Sequence, residues 1–333
     1  MAGHSGVLVY VETAENKATA TGREMLGIGR LLADALGEPF YALLVGNDME
    51  GAGGDVFQYR VDKVYFVSDH LLSGYHLDLY TVVIAEACKQ TSPSLFLLPH
   101  DDMGRDVAPR VAARLASSLV TDCIELRIDP ATKMLQQTRQ VYGGKAMEVL
   151  VAKNLPLQIV TVKPKAMAQA VPATSKPGDI VAVPVTLEAS MAKITLIETV
   201  KEDVKGIKLE DAKVVVTGGR GIGDAEGFKM IHELAEAMGG AVGASRAPCD
   251  EGWVPTSFKI GQTGKTVSPD LYIAVGLSGA LQHIVGSLGS KCIVAINNDP
   301  EAKIFDVSDF KWVADYREAL PALTKAYNTI TKI

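Results

Sequence analysis

The sequence predicts an α/β protein with two domains, each built on a parallel sheet. The chain has 333 residues, which is too long for one ordinary α/β domain. Short, nearly continuous apolar runs alternate with Ala/Leu-rich stretches, as expected for strands that are covered by helices on both faces. This alternation stops after Val120 and resumes near Lys213, so two separate α/β units are indicated.

The first unit begins with four apolar runs that predict strands. They cover residues 7–12, 40–45, 63–67 and 95–99. Helices are predicted over residues 21–36, 77–90 and 106–117. Because strands and helices alternate, the strands should form a parallel sheet with right-handed crossovers, as in nucleotide-binding domains.

Additional strands are predicted after Val120, with little helix between them. They cover residues 124–128, 136–142, 148–152 and 158–162, and a hairpin-like turn at Gly143 and Gly144 joins two of them. Four prolines mark residues 163–190 as an extended segment that closes the first domain, and residues 194–202 form one more extended run.

The second unit again alternates strands and helices. Strands are predicted over residues 214–217, 241–244, 271–275, 292–296 and 311–314, and helices over residues 225–238, 280–288 and 316–328. The boundary is expected in the charged, Gly-containing stretch at 204–211, which gives domains of residues 1–203 and 204–333.

Charge and composition exclude several classes of protein. A net charge of −6 argues against general binding of nucleic acid or of anionic membranes. No apolar run approaches the ~20 residues that span a bilayer, and the N-terminus lacks the pattern of a signal peptide. We therefore expect a cytoplasmic protein without stable membrane insertion. The four cysteines form no C-x-x-C pair, so no metal site is predicted.

Small and polar residues follow every predicted strand of the second unit, where ligands of open parallel sheets bind. Gly218, Gly219 and Gly221 flank Arg220, a pattern suited to phosphate but also to a tight turn. Arg246 follows the next strand and is equally typical of a solvated surface.

The remaining loops of the second unit are polar too. They contain Gln262 and Thr263, then Ser278, a candidate helix cap, and then His283, which as a lone helical histidine is also typical of a structural core. Asn297 and Asp315 end the chain's last two strands and are compatible with ribose or adenine contacts, or with turns and caps. A large anionic ligand with an adenosine end, such as FAD, would use all of these loops together.

Together these loops resemble the alpha family of electron-transfer flavoproteins. The match covers the whole second domain, and the first domain matches more loosely. The motifs that carry the resemblance are Gly218-Gly219-Arg220-Gly221, Val242-Gly243-Ala244-Ser245-Arg246, Val254-Pro255, Gly261-Gln262-Thr263-Gly264-Lys265, Leu271-Tyr272-Ile273-Ala274-Val275-Gly276, Ser278-Gly279-Ala280, Gln282-His283, Val294-Ala295-Ile296-Asn297 and Asp299-Pro300-Glu301-Ala302, with Gly104-Arg105-Asp106 and Pro109-Arg110-Val111-Ala112-Ala113 in the first domain.

The resemblance implies that the C-terminal domain binds FAD and that the N-terminal domain forms a base with a beta subunit. Arg220 and Ser245 would face the phosphates and the ring region, Gln262 and Thr263 the ring, and Asn297 and Asp315 the adenosine end. Ser278 to Gln282 would line the pyrophosphate. The implied cofactor-binding residues are Arg220, Ser245, Arg246, Gly261, Gln262, Thr263, Ser278, Gly279, Ala280, Leu281, Gln282, His283, Asn297 and Asp315.

The resemblance also implies an electron carrier rather than an enzyme. Such a subunit shuttles electrons from acyl-CoA dehydrogenase-type or other flavin dehydrogenases to a quinone oxidoreductase or another acceptor, through a stabilised flavin semiquinone. It leaves open whether the complex bifurcates electrons, with NADH oxidised on the partner subunit. A cation near N1 and O2 of the flavin would stabilise negative charge there, and we expect His283 and Arg246 to supply it.

Two other functions remain as alternatives. An NAD(P)-dependent oxidoreductase is disfavoured because the G-x-G-x-x-G pattern is not met: Gly219 and Gly221 are followed by Asp224 where the third glycine is required. A non-redox nucleotide-binding module would lack the visible absorption of a flavin.

Overall fold

The chain separates into two compact units, Met1–Thr199 and Val200–Ile333. This computed structural model describes residues 4–142, 146–153, 155–173, 178–194, 197–198 and 207–330. Of the sequence predictions, the turn at Gly143 and Gly144, most of the extended run at 194–202 and the first part of the boundary at 204–211 lie outside these residues. None of the described helices is long and apolar enough to cross a bilayer.

Nine strands of the first unit form one sheet. The unit's strands are β1 (Val7–Tyr10), β2 (Thr13–Ala14), β3 (Lys17–Ala18), β4 (Phe40–Gly46), β5 (Lys63–Ser68), β6 (Leu95–Pro99), β7 (Ser118–Ile128), β8 (Leu135–Val141), β9 (Ala146–Val151), β10 (Gln158–Val162) and β11 (Asp179–Ala182). The sheet order is β11-β5-β4-β1-β6-β10-β7-β8-β9, while β2 and β3 pair with each other. All pairs in the large sheet are parallel except β7–β8 and β8–β9, which are antiparallel.

Helices cover both faces of this sheet, as the continuous apolar strands predict. They are α1 (Ala20–Leu36), α2 (Gly53–Val56), α3 (Leu77–Thr91) and α4 (Asp102–Leu115). Val7 and Val9 of β1 belong to a core that contains apolar residues of α1, and Leu8 and Tyr10 belong to the opposite core, with α3 and α4. Successive strand residues point to opposite faces, so a strand that is buried on both sides must be apolar throughout.

Two boundaries in the first unit differ from the sequence prediction by four residues or more. Helix α4 begins at Asp102 rather than at residue 106, because the carboxylate of Asp101 accepts a hydrogen bond from the Gly104 backbone N–H at 2.8 Å and caps the helix earlier. Strand β7 begins at Ser118 rather than at residue 124, because its first residues pair with the parallel strand β10. Its later residues pair with the antiparallel strand β8. The proline-rich segment contributes β11 to the sheet edge.

The second unit is an open sheet of five parallel strands. Its strands are β12 (Val214–Gly218), β13 (Ala241–Ala244), β14 (Leu271–Val275), β15 (Ile293–Asn297) and β16 (Phe310–Val313), in the order β13-β12-β14-β15-β16. Its helices are α5 (Phe228–Ala237), α6 (Arg246–Asp250), α7 (Leu281–Ile284) and α8 (Tyr316–Ile330). The chain moves from β12 to one side for β13 and then to the other side for β14. The direction of the strand order therefore reverses between β12 and β14.

The helix predicted over residues 280–288 is wrong in length, because only Leu281–Ile284 are helical. The Ser287 hydroxyl donates to the Ile284 carbonyl at 3.2 Å and competes for the backbone acceptor that a longer helix would need. At Gly286 the chain also lies so close to the backbone of Gly261 that a side chain there would collide with it. Because α7 ends at Ile284, the residues that follow it lie against Gly261, at the start of the segment after Ile260.

Candidate functional site

The loops after β12 and β14 meet where the strand order reverses, which is the usual ligand position in such sheets. The Gly219 N–H donates to the Val275 carbonyl at 2.8 Å, and the Gly221 N–H donates to the Gly276 carbonyl at 3.0 Å. A Cβ at Gly219 would collide with that same Gly276 carbonyl, and Gly276 itself has a φ of +60°. The two loops can approach this closely because their contacting residues are glycines.

A cavity of about 730 Å³ opens at these strand ends. Twelve of the fourteen residues predicted to bind a cofactor line it: Arg220, Ser245, Arg246, Gly261, Gln262, Thr263, Ser278, Gly279, Ala280, Gln282, His283 and Asn297. The loops that the sequence predicts to share one ligand therefore face one space.

Leu281 and Asp315 do not line the cavity. Leu281 is the first residue of α7 and is partly exposed. The Asp315 carboxylate accepts a hydrogen bond from the Arg317 N–H at 2.8 Å and lies 3.7 Å from the Arg317 guanidinium, so it caps the start of α8. The structure thus favours helix capping, the other role considered for Asp315.

Ten further residues line the cavity but are not among the fourteen predicted to bind a cofactor. They are Gly221, Ala247, Lys259, Ile260, Gly276, Leu277, Asp299, Glu301, Ala302 and Lys303. Lys259 lies before the predicted Gly261 loop and Lys303 after the Asp299–Ala302 motif, so neither belonged to a strand-end pattern. With them, four basic side chains line the cavity against two acidic ones, although the whole chain carries a net charge of −6. This local excess of positive charge favours an anionic ligand.

Both cavity arginines are largely exposed and form ion pairs with neighbouring acids. Arg246 Nε lies 2.8 Å from an oxygen of Asp250, and Arg220 Nε lies 3.7 Å from an oxygen of Glu251. Exposed pairs of this kind contribute about 0–1 kcal/mol. A phosphate, which a guanidinium binds in bidentate geometry, can therefore displace these carboxylates at small cost.

Ser278 does not have the capping role that was considered for it, and Asn297 makes hydrogen bonds within the protein itself. Ser278 is exposed and does not cap α7, whose N-cap is Ala280. Asn297 is buried: its Nδ2 donates to the Leu277 carbonyl at 2.8 Å, and its Oδ1 accepts from the Asp299 N–H at 3.0 Å. The amide of Asn297 thereby joins the loops after β14 and β15 and shapes one wall of the cavity.

Burial and hydrogen bonds within the protein argue against the predicted positive charge on His283. The residue is only 6% exposed, and the burial lowers the pKa of His283 from 6.5 to about 4, although a hydrogen bond to the Ile260 carbonyl raises it. Nε2 lies 2.7 Å from the Tyr272 hydroxyl and Nδ1 lies 3.0 Å from the Ile260 carbonyl oxygen. Both ring nitrogens are therefore bonded within the protein, and burial favours the neutral imidazole near pH 7.

Comparison with known proteins places both units in one family. Residues 7–188 match the electron transfer flavoprotein domain, and residues 208–287 match the electron transfer flavoprotein FAD-binding domain. The chain belongs to the electron-transfer flavoprotein alpha family. FAD is the cofactor of the second unit, and the predicted two-domain α/β class is confirmed.

Relatives of this electron-transfer flavoprotein match it over almost its whole length. The electron transfer flavoprotein subunit alpha of Thermoanaerobacterium thermosaccharolyticum is 38% identical, over 97% of this chain and 98% of the relative. The subunit alpha of Megasphaera elsdenii is also 38% identical, over 98% and 97%. A protein named FixB from Clostridium saccharobutylicum is 36% identical, over 97% and 96%.

The cavity of this electron-transfer flavoprotein fits FAD. Its volume lies within the 300–1,000 Å³ typical of cofactor sites. Its walls combine close-packed glycine backbone and exposed hydroxyls with four basic side chains, as a pyrophosphate requires. In the first unit the strand order reverses between β1 and β6, and the residues at this place are acidic, unlike those of the cavity. Glu12 and Asp101 lie near each other there, and the Asp101 carboxylate caps α4. Acidic groups at that place disfavour a phosphate ligand.

Proposed function

We propose that this chain is the FAD-carrying subunit of a heterodimeric electron-transfer flavoprotein that passes electrons from flavin dehydrogenases to a quinone oxidoreductase or another acceptor. The observation that carries the proposal is the basic, glycine-walled cavity at the switch point of the second unit. An acyl-CoA dehydrogenase-type donor is the first to test, because the family resemblance implies it. The FAD-binding domain is proposed to start near residue 204.

Bound FAD would supply the electron chemistry, and the chain's own residues bind and orient it. Arg220 and Ser245 are proposed to hold the phosphates, with Lys259 and Lys303 as further positive charges. Gln262 and Thr263 are proposed to orient the ring edge. Arg246 remains as the arginine proposed to stabilise negative charge on the ring, because His283 is neutral.

Removing a phosphate-binding group is expected to release FAD. Arg220→Ala should weaken FAD binding by about 1.5–3 kcal/mol, which is roughly 10- to 150-fold in Kd, because a charge-assisted hydrogen bond is lost. Ser245→Ala removes a neutral donor and should cost about 0.5–1.5 kcal/mol. Arg317→Ala is the matched control, since Arg317 is an exposed arginine of the same unit that does not line the cavity.

The measurement is the flavin that remains bound to the purified heterodimer after dialysis, read from its visible absorbance. If Arg220→Ala and Ser245→Ala keep as much flavin as Arg317→Ala, the phosphate assignment is wrong. If the wild-type complex shows no flavin absorbance, the alternative of a non-redox nucleotide-binding module gains support. The number of flavins per heterodimer also tests whether the complex has a second flavin, as bifurcation would require.

The edge strand β9 supports pairing of the first unit with a beta subunit. Met147, Val149 and Val151 alternate with Glu148 and Leu150 along it, and these three apolar side chains are exposed. An exposed apolar edge strand is a template for association. Relatives named subunit alpha belong to assemblies with other kinds of subunit, so we propose that the beta subunit covers this edge.

A charge on this edge is expected to weaken the heterodimer. Val149→Lys should raise the Kd for the beta subunit at least about tenfold, because an unpaired ammonium would be desolvated in the contact. Leu31→Lys in α1 is the control: Leu31 is 66% exposed and Val149 58%, so neither change disturbs a core. Size-exclusion chromatography of the co-expressed subunits over a dilution series measures the effect. Equal dimerisation of the two variants would contradict the assignment of β9.

A further inference from the structure

Tyr272, His283 and the Ile260 carbonyl form a buried chain of hydrogen bonds beside the cavity. Tyr272 is the second residue of β14 and is completely buried. Its hydroxyl lies 2.7 Å from Nε2 of His283, whose Nδ1 lies 3.0 Å from the carbonyl oxygen of Ile260. The chain thus connects the centre of the sheet to the loop that begins after Ile260.

The positions of the protons in this chain follow from the partners. A carbonyl oxygen only accepts hydrogen bonds, so Nδ1 of His283 must carry a proton. In a neutral imidazole Nε2 then has only a lone pair, and the Tyr272 hydroxyl must donate to it. The Thr217 and Ser287 hydroxyls face the phenol oxygen, and Oγ1 of Thr217 is buried without another partner. The surroundings of the phenol therefore suit a hydroxyl that donates to His283.

The Ile260 carbonyl holds the start of the loop that carries Gln262 and Thr263. In the same segment, the Ile260 N–H donates to the Ala244 carbonyl at 2.9 Å and the Gln262 N–H donates to the Gln282 carbonyl at 2.7 Å. Between them, Gly261 has a φ of +134°, a conformation that glycine tolerates. A shift of the Ile260 carbonyl would therefore move Gln262 and Thr263, both of which line the cavity.

We propose that Tyr272 is a positioning residue: its hydroxyl fixes the Nδ1–H tautomer of His283, and this tautomer holds the loop with Gln262 and Thr263 in place. His283 thereby orients the cavity wall through a neutral ring. The proposal rests on the proposed function for the role of the loop, whereas the tautomer is a property of the chain itself. Tyr272→Phe removes only the hydroxyl and leaves Nε2 buried without a donor, so the Nδ1–H tautomer loses one of the two hydrogen bonds that hold it.

The first measurement is ¹⁵N NMR of the FAD-loaded heterodimer with ¹⁵N-labelled histidine, in which His283→Gln identifies the signal. The expected result is a protonated Nδ1 and an unprotonated Nε2, unchanged between pH 5.5 and 8. In Tyr272→Phe we expect a measurable share of the Nε2–H tautomer, which gives up the hydrogen bond from Nδ1 to the Ile260 carbonyl and so frees the loop. Release of FAD should then be at least about tenfold faster than from the wild type.

Tyr316→Phe is the matched control, because Tyr316 is another buried tyrosine of the same unit whose hydroxyl donates to a loop carbonyl, that of Ile222, at 2.7 Å. It should leave the His283 signal unchanged. An Nε2–H tautomer or a doubly protonated ring in the wild type overturns the proposal, even if Tyr272→Phe does not fold. An unchanged tautomer in a folded Tyr272→Phe variant overturns it too. If the heterodimer binds no FAD, the proposed function fails, but the tautomer of His283 can still be read.

Discussion

Gly279→Ala is expected to destabilise the second unit by about 2–5 kcal/mol and to leave the heterodimer with little FAD. Gly279 has a φ of +82°, where a residue with a Cβ is strained by about 1–2 kcal/mol. The added Cβ would also collide with backbone atoms of Lys303 and Ile304, and overpacking of this kind costs about 1–3 kcal/mol. The clash would push the loop after β14 away from the segment after β15, and both line the cavity.

Gly239→Ala separates the clash from the backbone strain. Gly239 follows α5, has a φ of +61° and has no atom within 4 Å of the position of a Cβ. Its replacement should cost about 1 kcal/mol and leave the flavin content at the wild-type level. Denaturant unfolding followed by flavin fluorescence measures both variants. If the two alanines cost the same, the close approach of the loops at Gly279 is not important for the site.

Much of the fold could be predicted from the sequence because a buried parallel strand has a simple pattern. The structure matches β6, β10, β13 and β14 at both ends, and each of these strands is apolar or small in most positions. Elements that depend on capping or on contacts far away in the sequence were less predictable. The start of α4 is set by the Asp101 cap, and the end of α7 by Ser287 and by the close approach at Gly286.

The same distinction applies to the site. Glycine and polar loops, most of which follow strands, together with the family resemblance predicted twelve residues of the cavity. The strand-end loops come together because the carboxyl ends of parallel strands meet at one edge of the sheet. Lys259 and Lys303 do not directly follow a strand, so only the folded chain brings them to the cavity. The protonation of His283 was not predictable either, since it depends on the burial of the ring and on partners at Tyr272 and Ile260.

The buried neutral His283 makes the second unit sensitive to acid. Burial lowers the pKa of His283 to about 4 in the folded chain, against an ordinary value of 6.5, while the hydrogen bond to the Ile260 carbonyl acts in the opposite direction. Between these two pH values the unfolded chain binds a proton that the folded chain does not. The contribution of His283 to the free energy of unfolding is therefore complete above about pH 6.5 and is lost as the pH falls towards 4, by ~3 kcal/mol in total.

His283→Gln should remove this part of the pH dependence, because glutamine does not titrate. The free energy of unfolding of the wild type, minus that of His283→Gln, should fall by ~3 kcal/mol between pH 7 and pH 4. His232 lies in the same unit, and burial lowers the pKa of its ring as well. Both proteins keep His232, so its contribution cancels in the difference.

The measurement is denaturant unfolding of the heterodimer at fixed ionic strength, followed by flavin fluorescence as a probe of the second unit. A difference that stays constant from pH 7 to pH 4 would show that His283 is equally protonated in the folded and unfolded chains, and a charged imidazole at the cavity would then have to be reconsidered.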